Sequence, residues 1–98
     1  MLLLPRSDLH GADSSVASSW KSPPREFSQA PFWFWNDALS EAEILRQMRD
    51  FRDHGVYGFV IHPRAGLPKD TGWTSGRMLS FMRDAIEQAK KMAMWVVL

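Results

Sequence analysis

Tyr57-Gly58-Phe59-Val60-Ile61 is apolar without alternation, and it stands between two stretches of helical period. Unbroken apolar runs of this length suit a strand buried on both faces of a parallel sheet, and the reading of the chain turns on it. Working backwards, Gly55 supplies the left-handed residue that ends a helix, with His54 as its last residue. In that helix Ile44, Leu45, Met48 and Phe51 share one stripe, while Arg46, Arg49, Asp50 and Arg52 cover the other side. Ser40-Glu41-Ala42-Glu43 opens it as a capping box, in which the Ser40 hydroxyl accepts the Glu43 amide and the Glu43 carboxylate reaches back. Before the box, Phe32-Trp33-Phe34-Trp35 has high strand propensity, and Asn36-Asp37 closes it as a turn.

Working forwards, His62 to Gly76 carries Pro63, Gly66, Pro68, Gly72 and Gly76, too many breakers for a regular element. A second helix follows with Met78, Met82, Ala85, Ile86, Ala89 and Met92 on its buried side. The methionines there read as core, because flexible thioethers fill irregular space. Met94-Trp95-Val96-Val97-Leu98 reads as a third strand. The order is β-α-β-α-β with parallel strands. The two βα units between Phe32 and Trp95 match the roughly 31 residues per unit of an eight-unit barrel of about 250 residues. The first βα turn, Asn36-Asp37-Ala38-Leu39, lacks the glycine fingerprint of a dinucleotide fold. Periodicity leaves a (β/α) barrel and a doubly wound open sheet level.

Residues 1–30 are rich in Ser, Pro and Asp without a sustained period, so a mobile lead-in is expected there, pinned at its end by Trp20 and Phe27. Residues 31–98 hold the βα units. Over 98 residues, 45% are hydrophobic and 23% charged, the balance of a globular protein. Net charge is +1, from 12 basic and 11 acidic residues, with no basic cluster of the kind a nucleic-acid backbone requires. The apolar run Met1-Leu2-Leu3-Leu4 is shorter than the 7–15 residues of a secretory core or the ~20 of a membrane span. A cytoplasmic chain is therefore expected, with neither nucleic acid nor membrane as partner. There is no His-x-x-x-His, no carboxylate cluster and no cysteine, so neither a metal nor a cofactor is expected.

PFWFWN at 31–36, HGVYGFVIHPRAGL at 54–67 and KKMAMWVVL at 90–98 resemble a family of large bacterial glycoside hydrolases, the α-L-rhamnosidases of family 106 and their relatives. Pro23-Pro24-Arg25-Glu26-Phe27 is similar to the stretch with which such proteins open. The resemblance spans residues 22–98 and departs at two places. Ala93 stands where the family carries Gly, and Thr74-Ser75-Gly76-Arg77 lacks the usual Trp-bearing start of the second helix. It implies a parallel (β/α)8 TIM barrel, here cut after its third strand, with a carbohydrate as substrate. It also implies catalytic carboxylates in an acidic loop beyond residue 98.

Glycoside hydrolysis needs two carboxyl groups, about 5–5.5 Å apart for retention and 6.5–9.5 Å for inversion. In a barrel they sit at the C-terminal ends of strands. Only Asp37 and Asp70 fall in such loops. Asp37 reads as a local turn bond and Asp70 as part of a Pro/Gly loop, so no catalytic residue is expected within this stretch. The expected substrate-binding residues are Trp35, as a stacking platform, with Asn36, His62 and Arg64 as donors to hydroxyls or to a substrate carboxylate. A plainer role for Arg64 is pairing with Asp37 or Asp70. Trp33 and Phe34 read as core. His54 lies at the opposite end of the second strand, roughly 20 Å from His62, so the two cannot share a metal. Two alternatives remain: a barrel enzyme of other chemistry, and a small non-catalytic α/β module. A sheet with an exposed apolar edge is also expected to self-associate.

Overall fold

The computed structural model describes residues 16–98. Its elements are β1 (Phe32–Trp35), α1 (Glu41–Asp53), β2 (Gly58–Pro63), α2 (Gly76–Lys91) and β3 (Trp95–Val97). Short 3-10 turns lie at Arg25–Phe27 and Lys69–Thr71. The three strands form one parallel sheet in the order β1-β2-β3, with Phe34 opposite His62 and Gly58 opposite Trp95. The protein is thus a mixed α/β chain of two successive βαβ units. Among the described residues, no helix is long and apolar enough to cross a membrane.

Both helices cover the same face of the sheet. Trp33 and Trp35 of β1 and Phe59 and Ile61 of β2 join Ile44 and Met48 of α1 in one core. From α2 come Met78, Phe81, Ala85 and Ala89. Phe59, Met48 and Met78 are wholly inaccessible, and each such side chain contributes about 1.5–3 kcal/mol by leaving water. Among the described residues, no helix of the two βα units covers the other face. There Phe32, Phe34, Trp95 and Val97 are 64%, 46%, 41% and 46% exposed, and the Trp95 indole lies across Gly58. β2 is therefore covered on one face only. The expectation of two covered faces fails because both crossovers lay their helices on the same side.

The helix ends follow local chemistry. Ser40 Oγ accepts the Glu43 amide at 3.2 Å, but the Glu43 carboxylate does not close the box. It turns instead to Arg46, at 2.7 and 2.8 Å, and to Gln47, at 2.8 Å. Gln47 in turn accepts the Trp33 indole N–H at 2.7 Å, so the carboxylate is held one turn along by a chain that ends in the core. Gly55, at φ +78°, ends α1 in a Schellman pattern, with Val56 N–H on Phe51 O at 2.8 Å. α2 ends the same way on Ala93, at φ +54°, and Met94 N–H donates to Ala89 O at 2.9 Å. Ser75 caps α2 through the Met78 amide at 3.1 Å. On α2 the buried stripe takes Phe81 in place of Ile86, which is 41% exposed. Positions 78, 81, 85, 89 and 92 form a narrower band than the sequence suggested, and 86 falls one step beyond it.

Of the lead-in, residues 1–15 lie outside the described residues, and with them the apolar run at 1–4. Residues 16–21 are helical. Trp20 and Phe27 do not pin this segment, since they are 88% and 71% exposed. Polar contacts do so. Arg25 donates to Met92 O at 2.9 Å and lies 4.2 Å from the Tyr57 ring centroid, and Ser28 Oγ accepts the Tyr57 amide at 3.0 Å. The guanidinium answers the unpaired carbonyls at the end of α2, as a cation at a helix C-terminus should. These contacts close the N-terminal ends of β2 and β3, opposite the end where the candidate site lies.

Candidate functional site

The C-terminal ends of β1 and β2 carry every residue singled out as substrate-binding, and strand alternation sorts them. Successive side chains of a strand point to opposite faces. Trp33 and Trp35 therefore share the helix-covered face, while Phe32 and Phe34 share the open one. Trp35 is 2% exposed, with its ring edge-on to Trp33 at 5.4 Å between centroids. It offers no face to a ligand, which overturns its expected role as a stacking platform. Phe34, taken as core, is the exposed aromatic instead. The indole N–H of Trp35 is buried without an acceptor among the described residues.

His62 and Arg64 do come together, and around Phe34. His62 is exposed on the open face, edge-on to Phe32 and Phe34 at 5.6 and 5.5 Å between centroids. The Arg64 guanidinium lies over the Phe34 ring, 4.8 Å from its centroid, a cation–π contact. The Arg64 amide donates to Trp35 O at 2.9 Å, so pairing between the strands runs one residue beyond β2 and holds Arg64 in register. Asn36 follows β1 with an exposed side chain. Its carbonyl packs so closely on Gly66 that a Cβ there would collide with it. That contact joins the β1–α1 and β2–α2 loops.

The carboxylates of this rim are engaged locally. Asp37 Oδ1 accepts the Ala38 amide at 2.7 Å, the turn bond its sequence suggested. Asp70 is ion-paired with Arg77, so Arg64 pairs with neither Asp37 nor Asp70. Away from the rim, Arg46 and then Gln47 hold the Glu43 carboxyl well below its usual range, to about 2. His54 at the far end is raised, first by the Asp50 carbonyl on its ring and then by the Asp50 carboxylate. Among the described residues, no three His, Asp or Glu side chains gather as a metal site would need.

Three features of the rim escaped the sequence reading. Phe34 was the aromatic to choose, and the period of two would have found it. Trp73 is 61% exposed in the β2–α2 loop, and with Lys69 and Arg64 it lines a groove of about 470 Å³. Neither Trp73 nor Lys69 has a periodic neighbour to mark it. Compared with protein-family models, with curated proteins and with solved structures, the chain matches none, so the function of this rim rests on its own geometry and chemistry.

Proposed function

We propose that residues 31–98 are the opening βα units of a parallel (β/α)8 barrel, and that the chain is the start of a glycoside hydrolase of the α-L-rhamnosidase type. The observation that carries this reading is the pair of motifs PFWFWN and HGVYGFVIHPRAGL on a parallel βαβαβ sheet whose open face is apolar and aromatic. One half of a doubly wound sheet also lays both its helices on one face, but it opens on a glycine fingerprint that Asn36-Asp37-Ala38-Leu39 lacks. A barrel keeps every helix outside and fills its interior with side chains from the other face. In such a barrel Phe32, Phe34, Val60 and Val97 face the interior, and His62 and Arg64 stand at the strand ends where barrel enzymes build their sites.

The chemistry follows from that position. An exposed phenyl face at Phe34 packs against the C–H face of a sugar ring. His62 and Asn36 offer neutral donors and acceptors to hydroxyls, and Arg64 offers a fixed fork of N–H groups. The general acid and its partner carboxylate come from strands outside residues 31–98, since Asp37 and Asp70 are already committed. The motif PFWFWN with HGVYGFVIHPRAGL supports the choice of glycoside hydrolysis over other barrel chemistries.

The test is to sequence the transcript past codon 98 and assay its whole product on 4-nitrophenyl α-L-rhamnoside. The expected result is an open frame with further βα units and measurable release of nitrophenolate. A stop codon directly after Leu98, or a long product inert on aryl glycosides, overturns the proposal.

A further inference from the structure

On the open face of the sheet, Phe32 and Phe34 hold their rings nearly parallel, with 7° between planes and 6.4 Å between centroids. They stand two residues apart on β1, so the strand itself sets them as a pair on one face. Exposures of 64% and 46% leave both rings largely open to solvent. His62, opposite Phe34 in the register of β2, is edge-on to both rings. Its centroid lies 5.6 Å from Phe32 and 5.5 Å from Phe34, at 75° and 81° between planes. Those near-equal distances place the imidazole midway along the pair, as the closed side of a cleft. The Arg64 guanidinium also lies over Phe34. Arg64 follows His62 past the end of β2, whereas Phe32 lies at the start of β1, so cation and Phe32 take opposite faces of the Phe34 ring. Aromatic rings in contact stack about 3.4 Å apart, the interval of stacked bases, so two intervals need about 6.8 Å. The two phenyl rings are thus set close to the spacing of a sandwich, and a small rotation of either exposed ring supplies the difference.

We propose that Phe32 and Phe34 form a clip for a small molecule carrying a flat, electron-rich aromatic ring, which inserts between the two phenyl rings with His62 behind it. The imidazole keeps the inserted ring displaced outward from the phenyl centroids, and offset stacking is the arrangement that aromatic faces prefer. The perpendicular imidazole then meets the edge of the ligand ring, the other favoured aromatic geometry. On the far side of Phe34, the Arg64 guanidinium draws the π-electrons towards itself. The face turned to the cleft therefore takes an electron-rich ring, such as an indole or a purine, in preference to an electron-poor one. A saturated ring is too thick for this spacing and has no π-face to offer. The clip goes beyond the glycoside-hydrolase reading and does not rest on it, because every group that forms it belongs to this chain.

The experiment titrates the dilute chain Met1–Leu98, isotope-labelled in its Phe and His rings, by NMR, with circular dichroism showing that each variant keeps its helix. The probes are indole, adenosine, nitrobenzene and cyclohexanol. The expected result is that indole and adenosine shift the ring protons of Phe32 and Phe34 upfield together, as stacking requires. Those of His62 move downfield, as protons beside a ring edge do. Nitrobenzene binds more weakly, and cyclohexanol leaves all three residues in place. F32L and F34L keep the face apolar but remove one stacking partner, and each weakens indole and adenosine at least roughly tenfold. R64Q narrows the preference for indole over nitrobenzene. Cyclohexanol binding as tightly as indole, or unchanged binding in both leucine variants, overturns the clip and marks a merely apolar surface. Shifts at one phenyl ring without the other, or at neither, overturn it as well. An unchanged preference in R64Q overturns the requirement for an electron-rich ring.

Discussion

Gly66 lies with its backbone pressed on the carbonyl oxygen of Asn36, at φ +113°, where any side chain would both collide and strain. This contact joins the loop after β1 to the loop after β2, beside the Arg64 amide bond to Trp35 O that holds Arg64 in register. Gly66→Ala is expected to cost about 1–3 kcal/mol of stability, from a backbone conformation open mainly to glycine plus a forced shift of the loop. A urea melt checks it. A midpoint equal to that of the unaltered chain would mean that the loops are not joined there.

Ala93 holds the left-handed position that ends α2, at φ +54°. An L-residue in that region costs about 1–2 kcal/mol, and glycine relieves most of it. Ala93→Gly should therefore raise stability by about 1 kcal/mol, one of the few glycine substitutions expected to do so. Loss of stability in the same melt would show that Ala93 contributes through packing instead.

The elements were legible in the sequence because their signals are local. Phe32–Trp35, the Ser40 cap and Gly55 each announce an end or a strand within a few residues. What escaped the reading depended on which side of the sheet the helices would take. Tyr57 to Ile61 reads as doubly buried in any setting, yet only Phe59 and Ile61 are covered by helices. Trp35 was assigned to the site from its place at the strand end alone, whereas alternation with Trp33 sends it into the core. His62 and Arg64 do lie at the C-terminal end of β2, although the strand runs on through His62 to Pro63 where the breakers suggested a loop. Lys69 and Trp73 were missed because an irregular loop has no period to read. The capping box half-formed for a similar reason, as Glu43 met a stronger partner in Arg46.

That same carboxylate gives a pH prediction. Arg46 and Gln47 depress the Glu43 carboxyl from its ordinary value of 4.5 to about 2. A depressed acid stabilises the fold above its unfolded value, and the stabilisation is lost as pH falls from 4.5 towards 2. Glu43→Gln should lower Tm near neutrality and converge with the parent at the acid end of that window. The Trp33 indole proton, bonded to Gln47, should shift over the same range in NMR spectra. A constant Tm gap between the two proteins from neutral to acid pH would contradict this.

The open sheet face predicts association of the 98-residue chain in solution. Phe32, Phe34, Trp95 and Val97 form a continuous apolar surface that monomeric proteins seldom leave uncovered. Sedimentation velocity should show larger species as concentration rises, and Phe34→Lys should suppress them. A monodisperse monomer with a sharp cooperative melt would mark the chain as a domain sufficient in itself.

The most direct test of the central claim compares two histidines at opposite ends of β2. His62 faces the proposed site among Phe32, Phe34 and Arg64, whereas His54 caps α1 against Asp50. In the whole product of the reading frame, kcat/KM on an aryl α-L-rhamnoside is measured for both alanine variants. The account predicts a loss of roughly 10- to 100-fold for His62→Ala with Tm nearly unchanged, because a polar contact made in the transition state is removed. For His54→Ala it predicts a slightly lower Tm with kinetics intact. The reverse pattern, with catalysis damaged at His54 and only the fold loosened at His62, would put the site at the wrong end of the strands and contradict the barrel reading.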